Sequence, residues 1–519
     1  MRTVRVWGAS LSGIGAELVT VEAHFEVRDT ERTEVQIAGL PDPVIRESRG
    51  RLLCALAENR LGLPRGRLFL NLVPAARPKA GAMLDLPLAL AAVAAAGHLA
   101  PKALEGVLFL GEVGIDGTLY GVPGGLAAAL AARERGLGRL IAPPATAEEA
   151  ACIPELEVWR AEHLARVLAH LTHAEPVLVR AAPFPAESAP IPGPGLDEVV
   201  GQAAAKEALA VAAAGRHGLL LVGPPGAGKS MLAARLPRLL PPPDLEERLE
   251  ITRVLSAAGR WPKGLARRRP FRAPHHSVSS AGLVGGGPQL SPGEVTLAHG
   301  GVLFLDELPE FQRDALEALR EPLETGRMAL SRARGRVELP ASFLLVAAMN
   351  PCPCGYHGHP RIACVCSGSR VERYLRRLSG PLVDRIELRV ELPPAPIAEL
   401  VAASGAPLGP REEDLARRVR EARARQVERG QEVANSELAG AALDAVAALD
   451  APSRQLLRRA AEHYGLSARA VQSARRVART LADLSGAAEV AAPHLAQALA
   501  LRSSFLDARV LEARPRPGL

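Results

Sequence analysis

The stretch Leu219–Ser230, LLLVGPPGAGKS, decides how the rest of the chain is read. A short apolar strand leads into a glycine-rich loop and then into the start of a helix. The spacing G-x-x-x-x-G-K-[ST] is complete at Gly223, Gly228, Lys229 and Ser230. Glycines let backbone N–H groups close around phosphates, and a helix N-terminus adds a favourable field. The pattern assigns Gly223, Pro224, Pro225, Gly226, Ala227, Gly228, Lys229, Ser230 and Met231 to a phosphate cradle. Lys229 reaches the β- and γ-phosphates and Ser230 is a ligand for Mg²⁺. Lysine is scarce in this chain. It occurs at Lys79, Lys102, Lys206, Lys229 and Lys263, and arginine supplies the other cationic side chains. A lysine at the end of this loop is therefore a departure from habit.

A partner for the loop lies downstream. VLFLDE, Val302–Glu307, is a buried strand with two carboxylates at its C-terminal end. Asp306 is placed to hold Mg²⁺, and Glu307 to orient or deprotonate an attacking water. FLLVAAMN, Phe343–Asn350, is a further buried strand ending in an amide. A lone Asn after a strand is ordinarily a turn residue. In this setting Asn350 resembles the first sensor of AAA+ ATPases, which reads the γ-phosphate. SGPLVDRIEL, Ser379–Leu388, is similar to the arginine-finger segment of ring-forming AAA+ proteins, with Arg385 directed into a neighbouring subunit; a salt bridge to Asp384 or Glu387 is the plainer reading. In GLSARAVQSARRVARTLADL, Ser467 caps a helix, and Arg469 matches the second sensor.

Taken together, these motifs resemble the Mg-chelatase-like AAA+ ATPases, and among them the ComM/YifB group. GLDEVVGQAAAKEALAVAAAGRHGLLLVGPPGAGKS, FRAPHHSVSSAGLVGGGPQLSPGEVTLAHGGVLFLDELPEF and PLVDRIELRVELP carry the likeness, which covers nearly the whole chain. It implies an α/β P-loop AAA+ core at residues 197–392 and a helical lid at 393–507. Before them it implies an α+β Lon-protease-like domain of the ribosomal S5 domain 2 type at residues 1–172. The Pro-rich stretch within 173–196 reads as a stiff linker, and 508–519 as a tail. In the N-terminal domain AELVTVEAHFEV, from Ala16, alternates as a half-buried strand should. DPVIRESRGRLLCALAENR has a helix pattern, and RLFLNLV, GVLFLGEV and GRLIAPP read as short buried strands. Lon peptidases need a serine and a lysine. Here PKAGAMLD has Met83 at the serine turn, and the lysine segment reads GGLAAAL, so no peptidase activity is expected.

Of the 519 residues, 48% are hydrophobic, enough for substantial cores, and the net charge is +7. There is no secretory h-region at the start. The most apolar run, Leu84–Ala100, is shorter than the roughly 20 residues of a membrane span and carries Pro87 and His98. A cytoplasmic protein without membrane segments is expected. The basic balance permits a polyanionic partner.

The resemblance implies a hexameric helicase that drives branch migration on DNA in natural transformation and recombination. Two basic clusters fit a DNA surface. From Ile251 to Gly293 there is no Asp or Glu, whereas Arg253, Arg260, Lys263, Arg267, Arg268, Arg269 and Arg272 all fall there. RMALSRARGRVEL, Arg327–Leu339, reads as a hairpin with Arg332, Arg334 and Arg336 on one strand face by period two, or crowding its tip. A solvated face is the alternative for either cluster. Aromatic residues are 3%, so tracking of a single-stranded or branched backbone without sequence preference is expected over base stacking. His275 and His276 read as polar loop contacts or phosphate donors. Two other functions stay open: a chelatase-type motor for metal insertion, and a protein-remodelling or loading ATPase.

The remaining motif is MNPCPCGYHGHPRIACVCSG, Met349–Gly368. Cys352, Cys354, Cys364 and Cys366 form two C-x-C pairs able to close a four-sulfur Zn²⁺ site, which leaves no open position and so reads as structural. His357 or His359 in place of one cysteine, a redox switch, and unpaired thiols are the other readings.

Overall fold

The computed structural model describes residues 3–502 apart from 30–32, 76–78, 80, 174–176, 183–193, 287–290, 333–334 and 395–409. Most of the Pro-rich stretch expected as a linker, and the whole tail 508–519, lie outside the described residues.

The alternating segment from Ala16 falls in a long strand, Gly15–Val27, in which Val19, Val21 and Ala23 point inward. It pairs antiparallel with Val4–Ser12 on one side and Gly66–Val73 on the other. Beyond Val4–Ser12 the sheet turns parallel through Val107–Phe109, Arg139–Ala142 and Glu157–Arg160. The result is a mixed eight-stranded sheet. The helices Pro43–Glu58 and Asp85–Ala95 pack their apolar residues into its core. Asp85–Ala95 is the Ala-rich run seen in the sequence, and it is buried over nearly its whole length. Among the described residues no helix is long and apolar enough to cross a membrane. Met83 is buried beside Leu126 in a second apolar cluster of this region.

The second sheet is parallel, with strands in the spatial order Phe271–Arg272, Val302–Leu305, Leu344–Met349, Leu219–Val222 and Leu388–Glu391. The central strands are apolar and buried on both faces, as parallel strands covered by helices must be. The helix Ala203–Gly215 lies against them and contributes a nearly unbroken apolar surface. From Glu412 the chain is helical: Glu412–Glu428, Gly440–Val446, Ala451–Tyr464, Ala468–Ser485 and Ala492–Arg502. These helices share one core with the strands Leu219–Val222 and Leu388–Glu391.

Two polar clusters hold the helical part in place. His217, Glu387, Arg476 and Thr480 are linked: His217 bonds Glu387 through Nδ1 and Thr480 Oγ1 through Nε2 at 2.7 Å, and Arg476 meets Glu387 at 2.8 Å. Arg479 is buried in the helix Ala468–Ser485. It bonds Asp483 and the carbonyls of Ala487 and Ala488, while Arg429 and Asn435 share the same Asp483.

The two sheets also meet. The turn of the first hairpin carries Ile14 into the apolar cluster of Met328, Leu330 and Leu339. Gly13 approaches so closely that a β-carbon there would lie 2.4 Å from Val337 Cγ1. Leu249 and Leu265 pack in turn on the N-terminal cluster that contains Met83.

Candidate functional site

Parallel strands bring their C-terminal ends to one edge of a sheet, where ligands collect. In register, Val222 pairs with Met349 and Leu305 with Ala347. The residues that follow these strands, namely the glycine loop, Asn350 and Asp306, therefore emerge side by side. The loop is built for close approach: Gly226 and Gly228 have φ of 77° and 88°, which a side chain would strain. The helix Lys229–Arg235 starts directly from it.

Lys229 is buried, and its ammonium donates to the carbonyls of Gly223 at 2.7 Å and Pro224 at 3.0 Å and to Asn350 Oδ1 at 3.0 Å. Burial lowers its pKa, against the pull of Asp306 and Glu307. Ser230 Oγ donates to Asp306 Oδ2 at 2.6 Å. Asp306 Oδ1 accepts the Glu307 N–H at 2.9 Å. A hydroxyl and a carboxylate oxygen in contact form the all-oxygen donor set that Mg²⁺ prefers, so these residues fit that ion. Glu307 has φ of 54°, an uncommon backbone state for a residue with a side chain and a frequent mark of a functional position.

Two residues join the site that motif spacing did not single out. His276 Nδ1 lies 3.1 Å from Glu307 Oε2. Gln202 holds the loop from behind, its Nε2 donating to Ala227 at 3.2 Å and to Pro393 at 3.0 Å. The sequence offers His276 only as a polar loop contact or phosphate donor, with no link to Glu307, and a Gln before a helix is too common in sequence to stand out.

Arg385 and Arg469 are elsewhere. Both reach Glu324, Arg469 at 3.2 Å and Arg385 in a close ion pair, and Arg385 also donates to the Pro381 carbonyl at 2.6 Å. Neither of the plainer partners of Arg385 is used: Glu387 belongs to His217 and Arg476, and Asp384 lies 3.8 Å from Arg502. The two arginines line a cleft of about 1050 Å³ together with Gly218, Ser342 and Phe343, residues that precede strands. They therefore stand at the N-terminal edge of the sheet, across it from Lys229. Arg385 Nε is buried without a hydrogen-bond partner. Burial, with Arg469 and Arg320 alongside, lowers the Arg385 pKa.

The basic clusters are rearranged by the fold. Arg269 forms a two-pronged pair with Glu247 at 2.6 and 2.8 Å and caps the carbonyls of Pro241 and Gly300. Arg272 does the same with Glu294, and Arg253 lies 3.8 Å from Glu250. The acid-free run thus draws its counter-charges from outside itself, and Arg269, half-buried, is held by Glu247 and two backbone carbonyls. Arg267 is exposed and Arg268 half-buried. The hairpin exists as Arg327–Arg332 paired with Gly335–Pro340. Arg332 pairs with Gly335 and Arg336 with Ser331, so these two arginines lie on different strands of the ribbon. Arg334 lies outside the described residues.

The four cysteine sulfurs all lie within 4.8 Å of one another, and none is in a disulfide. The backbone N–H of Tyr356 and then that of Val365, partly opposed by burial, draw the Cys354 thiol down to about 6. His359 Nδ1 is instead occupied by the N–H groups of Arg361 and Ile362.

Comparison with known proteins gives the family. The family model described as magnesium chelatase, subunit ChlI, matches residues 195–400, its C-terminal counterpart matches 410–502, and a further ChlI model matches 21–146. An uncharacterized protein YifB of Salmonella typhimurium is 39% identical over 502 residues, 95% of each chain. YifB of Escherichia coli is 39% identical over 499 residues, 95% of each. The competence protein ComM of Haemophilus influenzae is 37% identical over 509 residues, 96% of this chain and 97% of its own.

Proposed function

The chain belongs to the ComM/YifB group of Mg-chelatase-like AAA+ ATPases, and from that premise we propose that it is a ring-forming, DNA-stimulated motor, a branch-migration helicase of natural transformation and recombination. The observation that carries the DNA reading is the two-stranded ribbon Arg327–Arg332 and Gly335–Pro340, in which Arg332 pairs with Gly335 and Arg336 with Ser331 near its closed end. A paired ribbon ending in guanidinium groups suits phosphate tracking. Arg267 and Arg268 add to it. Arg269 does not.

In this reading Lys229 exchanges its loop carbonyls for the β- and γ-phosphates of ATP. Ser230 and Asp306 hold Mg²⁺, which supplies charge neutralisation on the phosphates when bound. Glu307 aligns the attacking water and accepts its proton, with His276 steadying the carboxylate. Asn350, already on Lys229, reports the γ-phosphate. Arg385 and Arg469 complete the site of the next subunit, since they stand across the sheet from their own loop and the buried Arg385 Nε lacks a partner. Such shared sites favour a closed ring, a hexamer in this group. A structural zinc on the four cysteines belongs to the same reading, as does a cytoplasmic setting.

The test is ATP hydrolysis with and without single-stranded and branched DNA, followed by migration of a four-way junction. Stimulation and migration are expected. ATPase activity indifferent to every DNA form would turn the reading to a chelatase-type or protein-loading motor.

A further inference from the structure

The cysteine turn touches the nucleotide loop directly. Gly355 has φ of 86°, and a β-carbon there would lie 2.5 Å from Pro225 Cδ and 2.7 Å from Pro225 Cγ. No side chain separates the two turns. Gly355 is tied back to the first cysteine, its N–H donating to the Cys352 carbonyl at 2.9 Å. Cys352 follows two residues after Asn350, whose side chain accepts from Lys229. The segment from Cys352 to Cys366 therefore borders the ATP site at two points, Pro225 and Asn350.

That segment contains no helix or strand, and apart from the buried Cys352 its cysteines are half-buried. An apolar core does not hold it. The sulfurs, however, are already gathered. Cys352 and Cys354 are 3.3 Å apart, Cys352 and Cys364 3.7 Å, and Cys354 and Cys364 3.6 Å. A tetrahedron with metal–sulfur bonds of about 2.3 Å has edges of about 3.8 Å. With Cys366, the four sulfurs lie within 4.8 Å of one another, and four soft thiolates so gathered select zinc and leave no open position for water or substrate.

We propose that this zinc centre is a positioning site for the ATP loop, holding Gly355 against Pro225 and Asn350 against Lys229, so that zinc and nucleotide bind cooperatively. The inference rests on the ATP reading of that loop. Coupling of this kind is reciprocal: if zinc strengthens nucleotide binding by some factor, nucleotide strengthens zinc binding by the same factor.

The experiment uses the full chain. Zinc is counted by elemental analysis in freshly purified protein, then removed with a thiol-directed mercurial and a chelator and restored by added zinc and excess thiol. Affinity for a fluorescent ATP analogue is measured in each state, with circular dichroism to confirm that the fold persists. About one zinc per chain is expected, with affinity weakened about tenfold on removal and recovered on restoration, within the usual range of coupling. ATP should make a chelator compete for zinc less well by a similar factor. Gly355→Ala retains all four thiolates and should keep its zinc while losing nucleotide affinity, which separates positioning from simple unfolding. Substoichiometric zinc, or equal nucleotide affinity in folded protein with and without zinc, overturns the proposal. Zinc-replete protein that fails to bind any nucleotide would instead overturn the ATP reading.

Discussion

The two edges of the parallel sheet are built from the same strands and hold charge differently. At the C-terminal edge the chain satisfies itself: Lys229 has three acceptors, and Ser230 has Asp306. At the N-terminal edge two arginines share the single carboxylate of Glu324, and the buried Arg385 Nε has no partner. Both edges collect groups suited to phosphate. The first has the glycine loop that lets phosphates approach. The second has cations without such a loop. The difference teaches that the loop and the two arginines stand on opposite edges of one chain, which is the arrangement the proposed ring reading rests on.

The largest test of that contrast is Arg385→Ala. In the assembled protein it should reduce ATP turnover by on the order of 10³-fold, as removal of a finger does in GTPases, and leave nucleotide binding by dilute protein unchanged. Mixing it with Lys229→Ala protein should restore part of the turnover, because each variant retains the part the other lacks. A binding defect in dilute Arg385→Ala protein would place the arginine in its own chain's site and break the comparison.

Glu307→Gln should lower turnover by about 10²-fold or more, the ordinary contribution of a general base, while nucleotide affinity holds. If affinity falls in parallel, Glu307 supports binding and not the water.

Glu387→Gln addresses the joint between strands and helices. Burial works against the Glu387 charge, but His217 and Arg476 outweigh it and hold the carboxyl below the ordinary glutamate range. A depressed carboxyl contributes stability above its unfolded pKa of about 4.3 and loses it as pH falls through the lower folded value. Breaking such a buried cluster costs about 3 kcal/mol, read as a lower thermal midpoint at neutral pH. The gap from the parent protein should narrow as the pH falls below about 4. A constant gap would mean that packing, not the ion pair, holds the joint.

The smallest effect is expected at His276. Removing one hydrogen bond to Glu307 is worth about 1.4 kcal/mol, or roughly tenfold in turnover. His276→Ala with unchanged turnover would leave the positive φ of Glu307 without a role for its neighbour.

The lesson of the basic clusters is of the same kind. From sequence, the acid-free run Ile251–Gly293 reads as a block of uncompensated charge, because the eye pairs neighbours along the chain. In the fold Glu247 and Glu294 lie beside Arg269 and Arg272. The hairpin was legible, but whether its arginines share a strand face or a tip depended on register, and a shift of one residue moves every side chain. The strand from Ala16 and the Ser467 cap were legible because each rests on neighbours in sequence: alternation in the strand, and a Ser467 hydroxyl within reach of the Ala470 N–H at 3.2 Å.

What the sequence determined by itself was local: the loop Gly223–Ser230, the acidic strand end at Asp306 and Glu307, Asn350, and the grouped cysteines. Each is a short run whose chemistry depends on spacing along one backbone. What only the tertiary structure decided was which of these groups face one another. It put Arg385 and Arg469 across the sheet from Lys229, drew Arg269 into an ion pair, set His276 beside Glu307, and pressed Gly355 onto Pro225. Those contacts join residues distant along the chain, and strand order and packing, which no short pattern encodes, bring them together.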